Sequence, residues 1–180
     1  MIAKYELTVD IISVGIHILH RIQALKDFSN IKAGDLGGFI ESEKNLSQDG
    51  ACWISENACV YETAVVYQHA LAGGKAQIFN RAHVYGAARI FGNSMIYGDA
   101  LVKGQARIYG DAWVCDKACV LGNSDICGDV KLFKEVILSN DVTLNSGIWD
   151  QTMKINKKWY VISTTLKKVL LEKTIRAKKI

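Results

Sequence analysis

A six-residue repeat occupies more than half of this 180-residue chain and restricts its fold more than any other feature. Counting in steps of six from Cys52 to Val142 gives sixteen positions, held by Ala at ten, Val at three, Ser at two and Cys52 itself. Two residues after each of them stands an aliphatic residue, and no insertion interrupts the count. A helical period of 3.6 residues or a heptad cannot produce this spacing. The pattern is typical of a solenoid.

The six positions of each unit, numbered 1 to 6 from the small residue, predict a strand followed by a turn. Positions 1 and 3 are two residues apart, so on a short strand their side chains point to the same side. Position 5 is Gly, Asn or Asp in eleven of the sixteen units, and these residue types tolerate a positive φ. Three strands and three turns take 18 residues and close one coil of a triangular prism. The sixteen units therefore predict between five and six parallel coils with an aliphatic interior.

Units such as VYGAAR (84–89) and IYGDAL (96–101) resemble the hexapeptide repeat of left-handed β-helix proteins, a family rich in acyltransferases. Their glycine stands one place later than in the usual pattern, after an aromatic residue, which weakens any transfer of enzymatic function. Residues 24–58, with the stretches KAGDLGGF and CWI, resemble the entry segment of YdcK-like β-helix proteins, a group found in bacteria and phage. The resemblance implies an all-β fold: a single-stranded, left-handed parallel β-helix with three faces and small β caps at both ends.

The repeat divides the chain into three segments. Residues 1–39 are expected to form N-terminal capping strands, because YELTVD and HILHRIQAL show alternating patterns. Residues 40–147 form the β-helix. Residues 148–180 form a basic C-terminal cap, in which MKINKKWYVIST is expected to fold as a hairpin turning near Asn156. The residues after it are expected to form another strand pair, with a short basic helix as the alternative.

Outward side chains 18 residues apart should stack in columns, and two neighbouring columns make one face largely apolar. We name this candidate interface the apolar face; it consists of Val65, Tyr67, His83, Tyr85, Leu101, Cys119, Leu121 and Ile137. Left-handed β-helices often associate along such a side, so we expect a homo-oligomer, a trimer or a dimer. The alternative is that the C-terminal segment folds back over this face.

A second column consists of Tyr61, Phe79, Tyr97, Cys115 and Phe133. We expect its rings to stack and to stabilise neighbouring coils. The alternative is a platform for bases or sugars, but no basic residue alternates with these rings.

The sequence predicts no catalytic residue, no cofactor and no metal site. His69 lies beside a turn and His83 lies in the apolar face, and the spacing places no carboxylate beside either of them. His17 and His20 are three residues apart, which puts them on opposite faces of a strand. Glu41 and Glu43 point the same way if their stretch is extended, and we expect them to form a solvated edge. The five cysteines contain no CxxC spacing and are expected to be reduced thiols.

Charge is distributed unevenly along the chain. Residues 151–180 hold nine Lys or Arg and one acid, whereas residues 1–150 hold 13 Lys or Arg and 17 acids. The candidate basic patch of the last segment consists of Lys167, Lys168, Lys173, Arg176, Lys178 and Lys179. It can contact nucleic acid or an acidic partner; we expect it instead to pack on the acidic body of its own chain. The sequence contains neither a long apolar run nor the features of a signal peptide, so we expect a cytoplasmic protein without membrane contact.

These features together favour a non-enzymatic binding or scaffold protein that acts through flat β-helix faces as a homo-oligomer. One concrete form, for a phage gene, is an inhibitor that docks on a bacterial defence complex. The competing class is an acyltransferase-like enzyme whose site lies between subunits, with His69 or His83 beside an acid. A third alternative is nucleic-acid contact through the basic C-terminal segment.

Overall fold

The computed structural model describes residues 3–156 and 160–161. The chain begins with three strands longer than any that follow: β1 (Tyr5–Val14), β2 (His17–Ala24) and β3 (Leu36–Ile40). A single turn of 3-10 helix follows at Glu43–Asn45. Glu43 therefore lies in a helical turn, so the extended stretch that would point Glu41 and Glu43 the same way does not form.

Short strands, most of two residues, follow at intervals of six. They are β4 (Trp53–Ile54), β5 (Cys59–Val60), β6 (Val65–Val66), β7 (Leu71–Ala72), β8 (Gln77–Ile78), β9 (His83–Val84), β10 (Arg89–Ile90), β11 (Met95–Ile96), β12 (Leu101–Val102), β13 (Arg107–Ile108), β14 (Trp113–Val114), β15 (Cys119–Val120), β16 (Asp125–Ile126), β17 (Lys131–Leu132), β18 (Val136–Leu138), β19 (Thr143–Leu144), β20 (Ile148–Trp149), β21 (Met153–Ile155) and β22 (Tyr160–Val161).

The strands form three sheets, one for each face of the prism. The nine-stranded sheet has the order β1-β2-β3-β5-β8-β11-β14-β17-β20. The seven-stranded sheet has the order β22-β19-β16-β13-β10-β7-β4, and the six-stranded sheet has the order β21-β18-β15-β12-β9-β6. All pairs between coils are parallel, and the sheets stack as a left-handed β-solenoid of about six turns. The predicted fold is confirmed.

The core is a single column of small and aliphatic side chains. Every residue at position 1 from Cys52 to Val142, and at position 3 from Ile54 to Leu144, is at most 1% exposed. The two serines at position 1 are satisfied within their own corners, because the Ser94 hydroxyl donates to Phe91 O and the Ser124 hydroxyl to Leu121 O, both at 2.8 Å. Main-chain bonds join neighbouring coils, as where Leu71 N donates to Ala88 O at 2.9 Å.

The turns depend on a left-handed backbone at position 5. Every unit from residue 56 to residue 140 has a positive φ there, including units with Glu, Gln or Lys at this position. At Gly92 a glycine is also needed for space, since an added Cβ would lie 2.7 Å from Gly110 O in the next coil. At other turns the side chain at position 5 accepts a hydrogen bond from the next coil. For example, Gly86 N donates to the Gln68 carboxamide oxygen at 2.9 Å.

The N-terminal strands close one end of the solenoid. Strand β1 pairs antiparallel with β2 and β2 with β3, and β3 joins the solenoid by parallel pairing with β5. Lys4 is 1% exposed, and its Nζ donates to Cys52 O at 3.0 Å. Burial lowers the pKa of Lys4. The Tyr5 hydroxyl donates to Leu46 O at 2.6 Å. Lys4 and Tyr5 therefore bind main-chain carbonyl groups at the N-terminal end of the core.

At the other end the coil continues where a hairpin was expected. Strand β21 pairs in parallel with β18 and β22 pairs in parallel with β19, so the hairpin prediction is wrong. Ile148 lies opposite Lys131, so the spacing between coils is 17 residues here instead of 18. The turn before Ile148 contains Gly147 with a φ of 100°, which ends the six-residue register. The strand pair or helix expected beyond lies outside the described residues.

Across the described residues, the structure contains no helix of the length and apolar character needed to cross a membrane.

Candidate functional site

The apolar face is the outer surface of the six-stranded sheet. Its position 2 column runs through adjacent strands in the predicted order Val65, His83, Leu101, Cys119 and Ile137. His83 is exposed and the other four side chains are half-buried. The column is therefore continuous over five coils.

The position 4 column beside it begins with two stacked aromatic rings. Tyr67 and Tyr85 lie with their ring centroids 4.7 Å apart, at 13° to one another. The Lys103 ammonium lies 5.8 Å from the Tyr85 ring centroid, and Leu121 continues the column. Burial raises the pKa of Tyr67 and of the Cys119 thiol, so neither ionises readily at neutral pH.

Charge distinguishes the apolar face from the outer surface of the seven-stranded sheet. In the six-stranded sheet from β6 to β18, Lys103 is the one Lys, Arg, Asp or Glu at positions 2 and 4, and the exposed Lys154 of β21 follows Ile137 in the position 2 column. The equivalent position 2 column of the seven-stranded sheet holds Arg89, Arg107 and Asp125. The apolar face therefore presents a flat strip that water solvates poorly.

The aromatic column on the nine-stranded sheet is a stack, as the sequence suggested. The ring centroids of Tyr61 and Phe79 are 5.0 Å apart and those of Phe79 and Tyr97 are 4.9 Å apart, and the rings of each pair are nearly parallel. The His17 ring covers its upper end at 5.3 Å from the Tyr61 ring. Tyr61 is buried in a small cluster with Leu19, Phe39 and Cys59. The N-terminal hairpin thus occupies the start of this column, where a platform would have to be open.

A histidine held between two carboxylates is the contact that sequence reasoning missed. His17 Nδ1 lies 3.0 Å from Glu41 Oε1, and His17 Nε2 lies 3.4 Å from Glu62 Oε1. The hydrogen bond to Glu41 raises the pKa of His17, and the same bond lowers the pKa of Glu41. Glu41 also accepts from Glu62 N at 2.6 Å. No sequence spacing signals this contact, because it joins a hairpin tip to two different coils.

The remaining histidines are separate from one another. His20 Nδ1 lies 3.1 Å from Thr8 O, and the His83 ring makes an edge contact with Tyr67 at 6.3 Å. His69 and Asp49 both line a surface groove of about 570 Å³. Within the described residues, no hydrogen bond or ion pair links the His69 ring to a carboxylate. The groove therefore contains the His69 imidazole and the Asp49 carboxylate, but it lacks the hydrogen bond that would orient His69 as a general base.

In the part of the chain that the structure describes, no group of three His, Cys, Asp or Glu side chains is arranged to hold a metal ion. All five cysteines are unpaired. The basic patch of Lys167, Lys168, Lys173, Arg176, Lys178 and Lys179 lies outside the described residues.

No protein-family model matches the chain. It is 42% identical over 50 residues to the uncharacterized acetyltransferase YdcK of Escherichia coli strain K12. The match covers 27% of this chain and spans 15% of the length of YdcK. Together with the β-solenoid, it confirms the resemblance to YdcK-like hexapeptide-repeat β-helix proteins.

Proposed function

We propose that this chain is a non-enzymatic binding and scaffold protein whose apolar face is an interface between copies of the chain. The observation that carries the proposal is the largely apolar strip over five coils, in which Lys103 is the single Lys, Arg, Asp or Glu from β6 to β18; the exposed Lys154 of β21 lies next in the position 2 column, opposite Ile137. Strips of this kind mark surfaces that associate with protein. Because the face is flat and its columns are regular, a second straight solenoid can lie along its whole length.

Lys103 favours a closed ring over a face-to-face pair. In a two-fold pairing centred on Leu101, the Lys103 side chains of both copies would lie near one another and repel. In a three-fold ring each apolar face meets a different surface of the next copy, which avoids this contact. We therefore propose a trimer, with a dimer as the alternative.

Sedimentation of the full chain at about 100 µM tests the interface. We expect the wild type to sediment as an oligomer and Leu101→Glu to sediment as a monomer, since a buried unpaired carboxylate opposes association. Met95→Glu places the same charge on a half-buried outward residue of the nine-stranded sheet and shows whether that sheet is the second surface of a ring. A wild type that stays monomeric contradicts self-association, and dissociation by Met95→Glu alone assigns the interface to the wrong face.

The name of the E. coli relative supports a second candidate, an acetyltransferase, with the groove at His69 and Asp49 as its site. A second subunit would then have to supply the remaining contacts. Calorimetric titration with acetyl-CoA separates the two candidates. The binding proposal expects no heat of binding, whereas saturable binding that is lost in His69→Ala but retained in His20→Ala would establish the enzyme.

Two narrower expectations belong to the same proposal. A cytoplasmic location suits a chain whose five cysteines are all unpaired. For a phage gene, the partner of the scaffold is a bacterial defence complex, and the positive charge of segment 167–180 suits an acidic surface of that partner or nucleic acid. A gel shift at low salt, repeated after deletion of 167–180, tests the nucleic-acid alternative; the absence of any shift excludes it.

A further inference from the structure

Charged and amide side chains 18 residues apart are paired with complementary partners along most of this solenoid. Arg81 bonds Asp99, Arg107 bonds Asp125 and Lys117 lies 3.9 Å from Glu135. The amides of two asparagines bond carboxylates in the same way, as Asn93 with Asp111 and Asn123 with Asp141. Each of these contacts joins one coil to the next.

Arg89 breaks this pattern. It lies directly opposite Arg107 on the neighbouring strand, and this is the one like-charged pair among the cross-strand partners of the described residues. Its other neighbour in the sheet is Leu71, and its guanidinium has no hydrogen bond or ion pair within the described part of the chain. Like charges directly opposite each other destabilise a sheet. Departures from a locally consistent pattern are found at functional sites more than elsewhere.

A groove of about 420 Å³ lies at this pair, and we name it the arginine groove. It is lined by Ala87, Arg89, Gln105, Arg107 and Asn123. The small side chain of Ala87 leaves room at the corner above Gln105. The volume falls within the range of small-molecule sites.

The arginine groove combines two guanidinium groups with the carboxamides of Gln105 and Asn123, and the Asn123 amide donates to Asp141. Asp125 accepts from both Nε and one terminal nitrogen of Arg107, which fixes the plane of that guanidinium and leaves its other terminal nitrogen free to donate. The Gln105 carboxamide has no partner among the described residues, and no carboxylate lines the groove. Asp125 neutralises one arginine, so the site keeps the positive charge of Arg89.

We propose that the arginine groove binds a phosphate monoester carried by a small polar molecule such as a sugar phosphate. Two guanidinium groups on strands about 4.8 Å apart can donate to different oxygens of one phosphate, which also removes their mutual repulsion. The groove is larger than a free phosphate ion, and Gln105 can donate to or accept from a hydroxyl of the attached group. The site lies on the seven-stranded sheet, a different sheet from the apolar face.

Calorimetric titration of the full chain at constant ionic strength tests this site, with ribose 5-phosphate, inorganic phosphate and ribose as probes. We expect ribose 5-phosphate to bind saturably, ribose not to bind, and Arg89→Gln to weaken binding by about tenfold or more. Lys75→Gln is the matched control, since it removes one exposed positive charge outside the groove. Its affinity should stay within about twofold of the wild type. Inorganic phosphate that binds as tightly as ribose 5-phosphate assigns the site to the free ion, and this outcome contradicts a ligand with an attached sugar.

Two further results would overturn the proposal. One is a wild type that binds neither phosphate probe; the other is an equal loss in Arg89→Gln and Lys75→Gln, which would assign binding to net charge. Thermal unfolding without ligand provides a check on folding. Because Arg89→Gln removes the repulsion with Arg107, its unfolding midpoint should equal or exceed that of the wild type, and a lower midpoint would show that Arg89 is a structural residue.

Discussion

The N-terminal cap, residues 4–45, and the solenoid that follows are stabilised in different ways. The solenoid repeats one arrangement, an aliphatic residue at position 3 and main-chain bonds to the next coil, so each coil resembles its neighbours. The cap also buries apolar side chains such as Ile22 and Ile40, and it adds individual polar contacts, such as those of Lys4, Tyr5 and His17. A repeated structure is stabilised by the sum of many similar units. The polar contacts of the cap each occur once.

The largest effect is expected in the solenoid core. Ile108→Ala should reduce the free energy of unfolding by about 3 kcal/mol, because it leaves a cavity in a column that is packed from both neighbouring coils. Met95→Ala, which shortens a half-buried outward side chain, should cost about 1 kcal/mol or less. Urea unfolding measures both variants. An equal loss in the two would mean that the core column does not dominate the stability of the solenoid.

This difference explains how much of the fold the sequence could predict. A period of six is visible in the sequence because the core requires the same residue types in every unit, and the outward columns follow from it by counting. The turns were harder to predict from residue type. Position 5 adopts a positive φ at Glu56, Glu62, Gln68 and Lys134 as well, because the coil above imposes the turn whatever the residue. The last coil was missed because its spacing shortens by one residue before Ile148.

The polar contacts of the cap were beyond prediction for a different reason. His17 bonds Glu41 and Glu62, which lie 24 and 45 residues further along the chain and belong to no common period. Likewise, the repulsion between Arg89 and Arg107 follows from their 18-residue spacing. That Arg89 has no compensating partner among the described residues is visible only when the neighbouring side chains are placed. A periodic pattern predicts which residues stack, whereas single contacts depend on the path of the whole chain.

A smaller effect is expected in the cap. Tyr5→Phe should reduce the free energy of unfolding by about 1–2 kcal/mol, because Leu46 O then loses its buried donor. Tyr85→Phe is the matched control; its hydroxyl lies on the half-buried apolar face, and the change should cost about 0.5 kcal/mol or less. Chemical unfolding of both variants measures the difference. If Tyr5→Phe is as mild as Tyr85→Phe, the end of the core does not depend on this bond.

The smallest effect is a pH dependence confined to the cap. Since both ring nitrogens of His17 face carboxylates, the contact is complete only when the ring is protonated. Its pKa is raised by the hydrogen bond to Glu41, so its contribution to stability is fully present below the ordinary value of about 6.5 and is lost as pH rises through the higher folded-state pKa. The lowered pKa of Glu41 acts in the opposite direction, and its contribution is lost as pH falls through that folded-state value.

The urea midpoint of the wild type should therefore fall between pH 6 and pH 8.5, and this fall should be absent in His17→Gln. His20→Gln is the matched control in the neighbouring part of β2, where the ring contacts a main-chain carbonyl, and it should keep the fall in midpoint. Hydrogen exchange at the amides of β1 and β2, corrected for the intrinsic rate at each pH, locates the change. Loss of protection in the solenoid strands instead of the cap would mean that the two regions unfold as one unit, and the distinction between them would then apply to their contacts and not to their stability.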